Sequence, residues 1–172
     1  GDLDGLEARL KLGDVAAFVF EPIQGKGVNI ASEEYLLGAQ ELCRKYGTLM
    51  VCDEVQSGMG RTGRFLASQW IEGFRPDVIC LSKALSGGYI PVGATITRRA
   101  VYDSVYDSMH RAIVHASTFG MGNMAMAAGL VGGLVNGILV ARLLGEATAV
   151  RHATIRFLTE FRGRRLPRVW HV

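Results

Sequence analysis

Three apolar runs in this chain each stop on charged side chains. "VAAFVFE" ends at Glu21, "TLMVCDE" at Asp53 and Glu54, and "VICLSK" at Ser82 and Lys83. Each reads as a short buried strand, and helical patterns separate them. "LDGLEARLKLG" places Leu3, Leu6 and Leu10 on one face of a short helix. "SEEYLLGAQELCRKYG" is an amphipathic helix, with Ser32 as its N-cap, Glu33 and Glu34 in the first turn, Arg44 and Lys45 in the last and Gly47 as its stop. A polar glycine loop, "VQSGMGRTGR", leads to a short helix near "FLASQW", and "GATIT" supplies one more strand. Apolar strands alternating with helices predict an α/β fold: a mostly parallel sheet with helices on both faces. Ligands of such sheets gather beyond the carboxyl ends of the strands, where these charges stand.

Bulk properties narrow the function classes. A chain of 172 residues, 49% hydrophobic, suits a single domain with a substantial core. Its net charge of +3 is unevenly spread: residues 142–172 hold 7 arginines against 2 glutamates, whereas residues 1–141 hold 12 basic against 14 acidic residues. The basic tail lacks interleaved aromatics and any recognised motif, so it argues poorly for nucleic acid. Cys43, Cys52 and Cys80 lack metal-ligand spacing and point to a reducing cytoplasm, with no metal expected. The N-terminus shows no signal-peptide pattern. Residues 112–141 carry no formal charge and contain Gly129 and Gly133 at the spacing of membrane helix pairs. Asn123 and Asn136 interrupt that stretch, and a helix buried in the domain is the favoured reading over a membrane span.

Lys83 is the group with the most chemistry. An amine at the end of a buried strand is partly desolvated, which favours its neutral, nucleophilic form. Such a lysine can form a Schiff base with a carbonyl compound or with pyridoxal phosphate (PLP); a snorkelling surface lysine is the plainer alternative. Asp53 ends the neighbouring apolar run, where a carboxylate calls for a cationic partner. A pyridinium nitrogen would serve, as would Arg61, Arg64 or Lys83. Gln56, three residues on, could hydrogen-bond a ring oxygen.

"EPIQG" (21–25), "DEVQSGMGRTG" (53–63), "LSKALSGGYIPVGA" (81–94) and "STFG" (117–120) together resemble the class III, or omega, aminotransferases of PLP fold type I. The blocks cover roughly residues 10 to 130. The resemblance implies a PLP-dependent aminotransferase that moves an amino group from an amine or amino acid to a keto acid. It gives Lys83 the role of the lysine that holds PLP as an aldimine and shuttles the proton. Asp53 matches the aspartate on the pyridine nitrogen, and Gln56 the residue near the phenolic oxygen. Thr118 matches the threonine that reaches the cofactor phosphate of the neighbouring subunit, which implies a homodimer. Glu21 matches a glutamate near the active site, in a binding or a purely structural role.

The chain departs from the family in three places. Lys26 stands where many amino-acid-using members carry a glutamate that pairs with an arginine gripping the α-carboxylate, which argues against glutamate as amino donor. The family's N-terminal third, with its phosphate loop and stacking aromatic ring, has no counterpart here. Residues 141–172 form a basic helical tail unlike the family's C-terminal domain, leaving residues 1–140 as the central portion of the PLP-binding domain. The chain is therefore expected to be a fragment carrying about half of a transaminase site. Alternatives on the same residues are an aminomutase or racemase, or a truncated chain without catalytic competence.

Overall fold

A computed structural model describes residues 1–112, 114–115, 120 and 122–143, with the backbone alone for 137–143. Helix α1 (Leu3–Leu10) precedes strand β1 (Ala17–Phe20); α2 (Glu33–Tyr46) precedes β2 (Leu49–Asp53). Then come β3 (Val78–Leu81), β4 (Ala94–Thr97), a short α3 (Arg99–Val105) and α4 (Asn123–Leu143). The sheet order is β1-β2-β3-β4, with β1, β2 and β3 parallel and β4 antiparallel to β3. A mostly parallel sheet is thus present. The direction of β4 follows from its connection: residues 82–93 form a turn that brings the chain straight back, without the crossover helix that a parallel neighbour needs.

The helix signals read from sequence operate as expected. Asp2 and Ser32 accept from the amides of Gly5 and Tyr35 at the starts of α1 and α2, and α2 ends on Gly47 with φ of 70°. Both helices pack on one face of the sheet. Leu10, Leu36, Ala39 and Cys43 meet Met50 and Cys52 there, with Phe18, Phe20 and Ile79 alongside. The opposite face is more open: Val19 is 63% exposed. "VAAFVFE" is therefore not a fully buried strand: its exposure alternates, with Ala17 and Val19 on the open face. "FLASQW" forms a single 3₁₀ turn, Ala67–Trp70, in place of a helix.

A surface cluster ties α1 to α2. The Glu7 carboxylate accepts from Lys45 Nζ at 2.7 Å and from the Tyr46 hydroxyl at 2.8 Å, with Lys11 Nζ 3.3 Å away. The Lys45 hydrogen bond, followed by that of Tyr46, lowers the Glu7 pKa from 4.5 to about 2. A carboxylate whose pKa falls on folding stabilises the fold above its unfolded value and loses that contribution as pH drops through the folded one. Between pH 4.5 and about 2, the urea midpoint of the native chain is expected to fall more steeply than that of Glu7→Gln. Parallel pH profiles for the two proteins would rule this cluster out as the cause.

At the amino end of the sheet, Asp77 acts as a staple. Its carboxylate accepts from the Met50 amide at 2.8 Å and pairs with Arg98, and its own amide donates to the Met50 carbonyl at 2.9 Å. The Arg98 amide in turn donates to the Asp77 carbonyl at 3.2 Å. One residue thereby joins β2, β3 and the exit from β4.

Helix α4 answers the question raised by the uncharged stretch. Among the described residues, no helix is long and apolar enough to cross a membrane. Gly129, Gly132 and Gly133 lie against Leu85, and Gly129 also meets Val92, so these small residues serve close packing on the turn after β3. Among the described residues, the helix docks chiefly on that turn. Met124, Val131 and Val135 are exposed, which corrects the expectation of a buried helix.

Candidate functional site

The carboxyl ends of β1, β2 and β3 are tied together by short backbone devices. After β1, Glu21 folds back on its own loop, its carboxylate accepting from the Gly25 amide at 2.5 Å. A side chain at Gly25 would meet Gln56 Cγ and Nε2 at 2.7 Å, so glycine lets the first loop lie against Gln56 without displacing that side chain. The Glu21 carboxylate shapes this loop through the Gly25 amide.

At the end of β2, consecutive carboxylates face opposite ways, as the period of a strand requires. Glu54 turns inward and is 1% exposed. It has no cationic partner among the described residues and is neutralised by donors instead. Ser57 Oγ donates to it at 2.7 Å, the Ala67 amide at 3.0 Å and the Ser68 amide at 2.8 Å. The glycine loop of residues 55–66 therefore wraps around a buried anion. Sequence reasoning passed over Glu54, although a readable signal was available: it shares the face of Cys52, which lies in the core.

Asp53 points to the other face and is half-buried. One carboxylate oxygen accepts from the Val55 amide at 2.9 Å, and no ion pair forms with any described residue. Arg61 and Lys83 do not reach it. Arg64 is committed elsewhere, its guanidinium 4.3 Å from the Trp70 ring centroid and hydrogen-bonded to the Gln69 carbonyl. Burial, and then the charge of Asp53, raises the thiol pKa of Cys80, its partner in register across the sheet. Cys52 is raised further by burial and by Glu54, so both thiols stay protonated near neutrality.

Lys83 follows β3 directly and opens a 3₁₀ turn, Lys83–Ser86. Its side chain is exposed, so the desolvation expected from the sequence is not met. The backbone is the unusual part: φ is +46°, a left-handed conformation that costs a residue with a side chain about 1–2 kcal/mol. Hydrogen bonds enforce it. Ser82 Oγ donates to the Val92 carbonyl at 2.7 Å, and Ser86 Oγ to the Ile90 carbonyl at 2.5 Å. Lys83 Nζ has no anionic partner among the described residues.

The sheet therefore brings Asp53 and Lys83 to the ends of adjacent strands, with Gln56 in the loop after Asp53 and Glu21 supporting that loop from β1. Thr118 lies outside the described residues, as does the tail beyond 143. The donor set fits PLP: a free amine for an aldehyde, an unpaired carboxylate for a pyridinium N–H, and an exposed amide for a ring oxygen.

Comparisons with known proteins agree with this arrangement. The family model for aminotransferase class-III matches residues 2–166, further along the chain than the quoted blocks. The chain is 44% identical over 147 residues to aminotransferase PigE of a Serratia species, covering 85% of this chain and 17% of that protein. It is 40% identical over 153 residues to the putrescine aminotransferase of Pectobacterium atrosepticum, covering 86% of this chain and 31% of that protein. Among solved structures, ornithine aminotransferase from Toxoplasma gondii superposes with a TM-score of 0.71 at 41% identity, over 78% of this chain and 31% of that one. The chain thus spans under a third of the length of each of these relatives. With the family model matched over residues 2–166 and the fold shared with a solved relative, this chain belongs to the class III aminotransferase family.

Proposed function

We propose that this chain forms the central part of a PLP-dependent aminotransferase that passes an amino group from an amine or amino acid to a keto acid. One observation carries the reading: Lys83 and Asp53 sit at adjacent strand ends with opposite charges, yet pair neither with each other nor with any described residue. Both are open to a third group. Bound there, PLP supplies the electron sink. Lys83 would be the amine that holds the cofactor's aldehyde and, when free, the acid/base that moves a proton. Asp53 would accept from the ring nitrogen, and Gln56 would donate to the ring oxygen. In the same reading, two copies associate, with Thr118 serving the neighbouring subunit's cofactor phosphate. The free thiols of Cys43, Cys52 and Cys80 support a reducing, cytoplasmic setting. Lys26, beside Gly25 in the loop against Gln56, supports an amine other than glutamate as donor.

The test uses PLP itself. The purified chain is mixed with PLP, its visible spectrum recorded, and the mixture reduced with borohydride and mapped by peptide. The expected result is a pyridoxyl label concentrated on the Lys83 peptide in preference to Lys11, Lys26 and Lys45. Label spread evenly over the four lysines would overturn the assignment.

A further inference from the structure

A strained backbone at a reactive residue persists only if its surroundings hold it. For Lys83 those surroundings include α4. Asn136 is the one polar side chain in the apolar middle of that helix, and its Nδ2 donates to the Ala84 carbonyl at 3.1 Å, 52 residues away in sequence. One helical turn earlier, a Cβ at Gly132 would overlap the Leu85 carbonyl oxygen. The helix backbone therefore abuts the same turn that Asn136 grips. Within the turn, the Leu85 amide donates to the Ser82 carbonyl and the Gly87 amide to the Ala84 carbonyl, both at 3.0 Å. The Ala84 carbonyl thus receives two donors, one local and one from α4.

We propose that Asn136 is a positioning residue for Lys83: with Gly132, it clamps the 83–86 turn and so holds Lys83 in its left-handed conformation at the end of β3. The inference rests on the reading of Lys83 as the cofactor-binding amine. An amide in an apolar helix carries a desolvation cost, and here it is satisfied by the peptide next to Lys83. The glycine at 132 and the asparagine at 136 lie on one helix face, four residues apart, as a two-point grip requires.

The experiment compares Asn136→Leu, which keeps the branched shape and removes the donor, with Asn136→Gln, which keeps an amide donor. Two readouts are taken: hydrogen exchange of the Leu85 and Gly87 amides without cofactor, and the share of pyridoxyl label on Lys83 after PLP and borohydride. Asn136→Leu is expected to speed exchange at both amides and to cut the Lys83 share roughly fivefold, about one net hydrogen bond. Asn136→Gln should recover much of that share. Unchanged exchange in Asn136→Leu would overturn the clamp, whatever the label does. A lower melting temperature with faster exchange but an unshifted label would reduce Asn136 to a fold-keeping residue and overturn the positioning role. Faster exchange with label scattered already in the native chain would sink the functional reading, and the role of Asn136 with it.

Discussion

Lys83→Gly should abolish amino-group transfer in the holoenzyme, lowering turnover by at least about 10³-fold, while making the cofactor-free chain more stable by about 1 kcal/mol. The two effects have separate origins. On the proposed function, turnover fails because the side chain assigned to hold PLP and move the proton is gone. Stability rises because glycine adopts φ of +46° without the contact between Cβ and backbone that penalises lysine. Lys83→Ala separates them: it should lose the same turnover and gain no stability, since alanine keeps the Cβ. Urea denaturation of the three proteins, with turnover assays of the loaded enzymes, gives both readouts. Equal stability of the glycine and alanine variants would remove the strain argument, and residual turnover near the native rate would remove Lys83 from the chemistry.

The second large effect is expected at Glu54. In Glu54→Ala, the amides of Ala67 and Ser68 and the hydroxyl of Ser57 lose their acceptor in a site closed to water. Each of the three unsatisfied buried groups costs about 1–3 kcal/mol, so a total loss of roughly 3–9 kcal/mol is expected. For a domain with about 5–15 kcal/mol in hand, that approaches unfolding. Glu54→Gln should cost less but still be harmful, because its amide offers one acceptor oxygen and turns an N–H group toward donors. The measurement is urea denaturation at pH 7, with intrinsic fluorescence of Trp70, which follows the wrapped loop. A loss below about 1 kcal/mol in Glu54→Ala would mean that water or rearranged side chains replace the carboxylate.

How much of this was legible in the sequence varied with the kind of force involved. The strands and helices of residues 1–97 could be read because their determinants are local: Ser32, Gly47 and the apolar runs act within a few residues. The placement of Asp53 and Lys83 at one end of the sheet was legible too, since a parallel sheet places successive strand ends side by side. Glu54 was missed because its partners are backbone amides 13 and 14 residues away, and a backbone donor leaves no trace in the residue alphabet. The left-handed turn at Lys83 was hidden for a related reason. Residues Val92, Ile90 and Asn136 hold it through carbonyls and one side chain scattered over the chain. The exposure of Val19 depends on which face of the sheet the helices cover, a property of packing that a strand's own residues do not carry.

The staple at Asp77 has a consequence for redesign. It sits at the opposite end of the sheet from Asp53 and Lys83, so cohesion between strands and chemistry at their tips are lodged in different residues. On the proposed function, a mutational library aimed at a new amine donor can therefore range over the loop from Lys26 to Asn29 and the exposed positions around Gln56 while the other end keeps the strands in register. Libraries that stray into Asp77 or Arg98 would instead be filled with clones lost to misfolding before their specificity could be sampled.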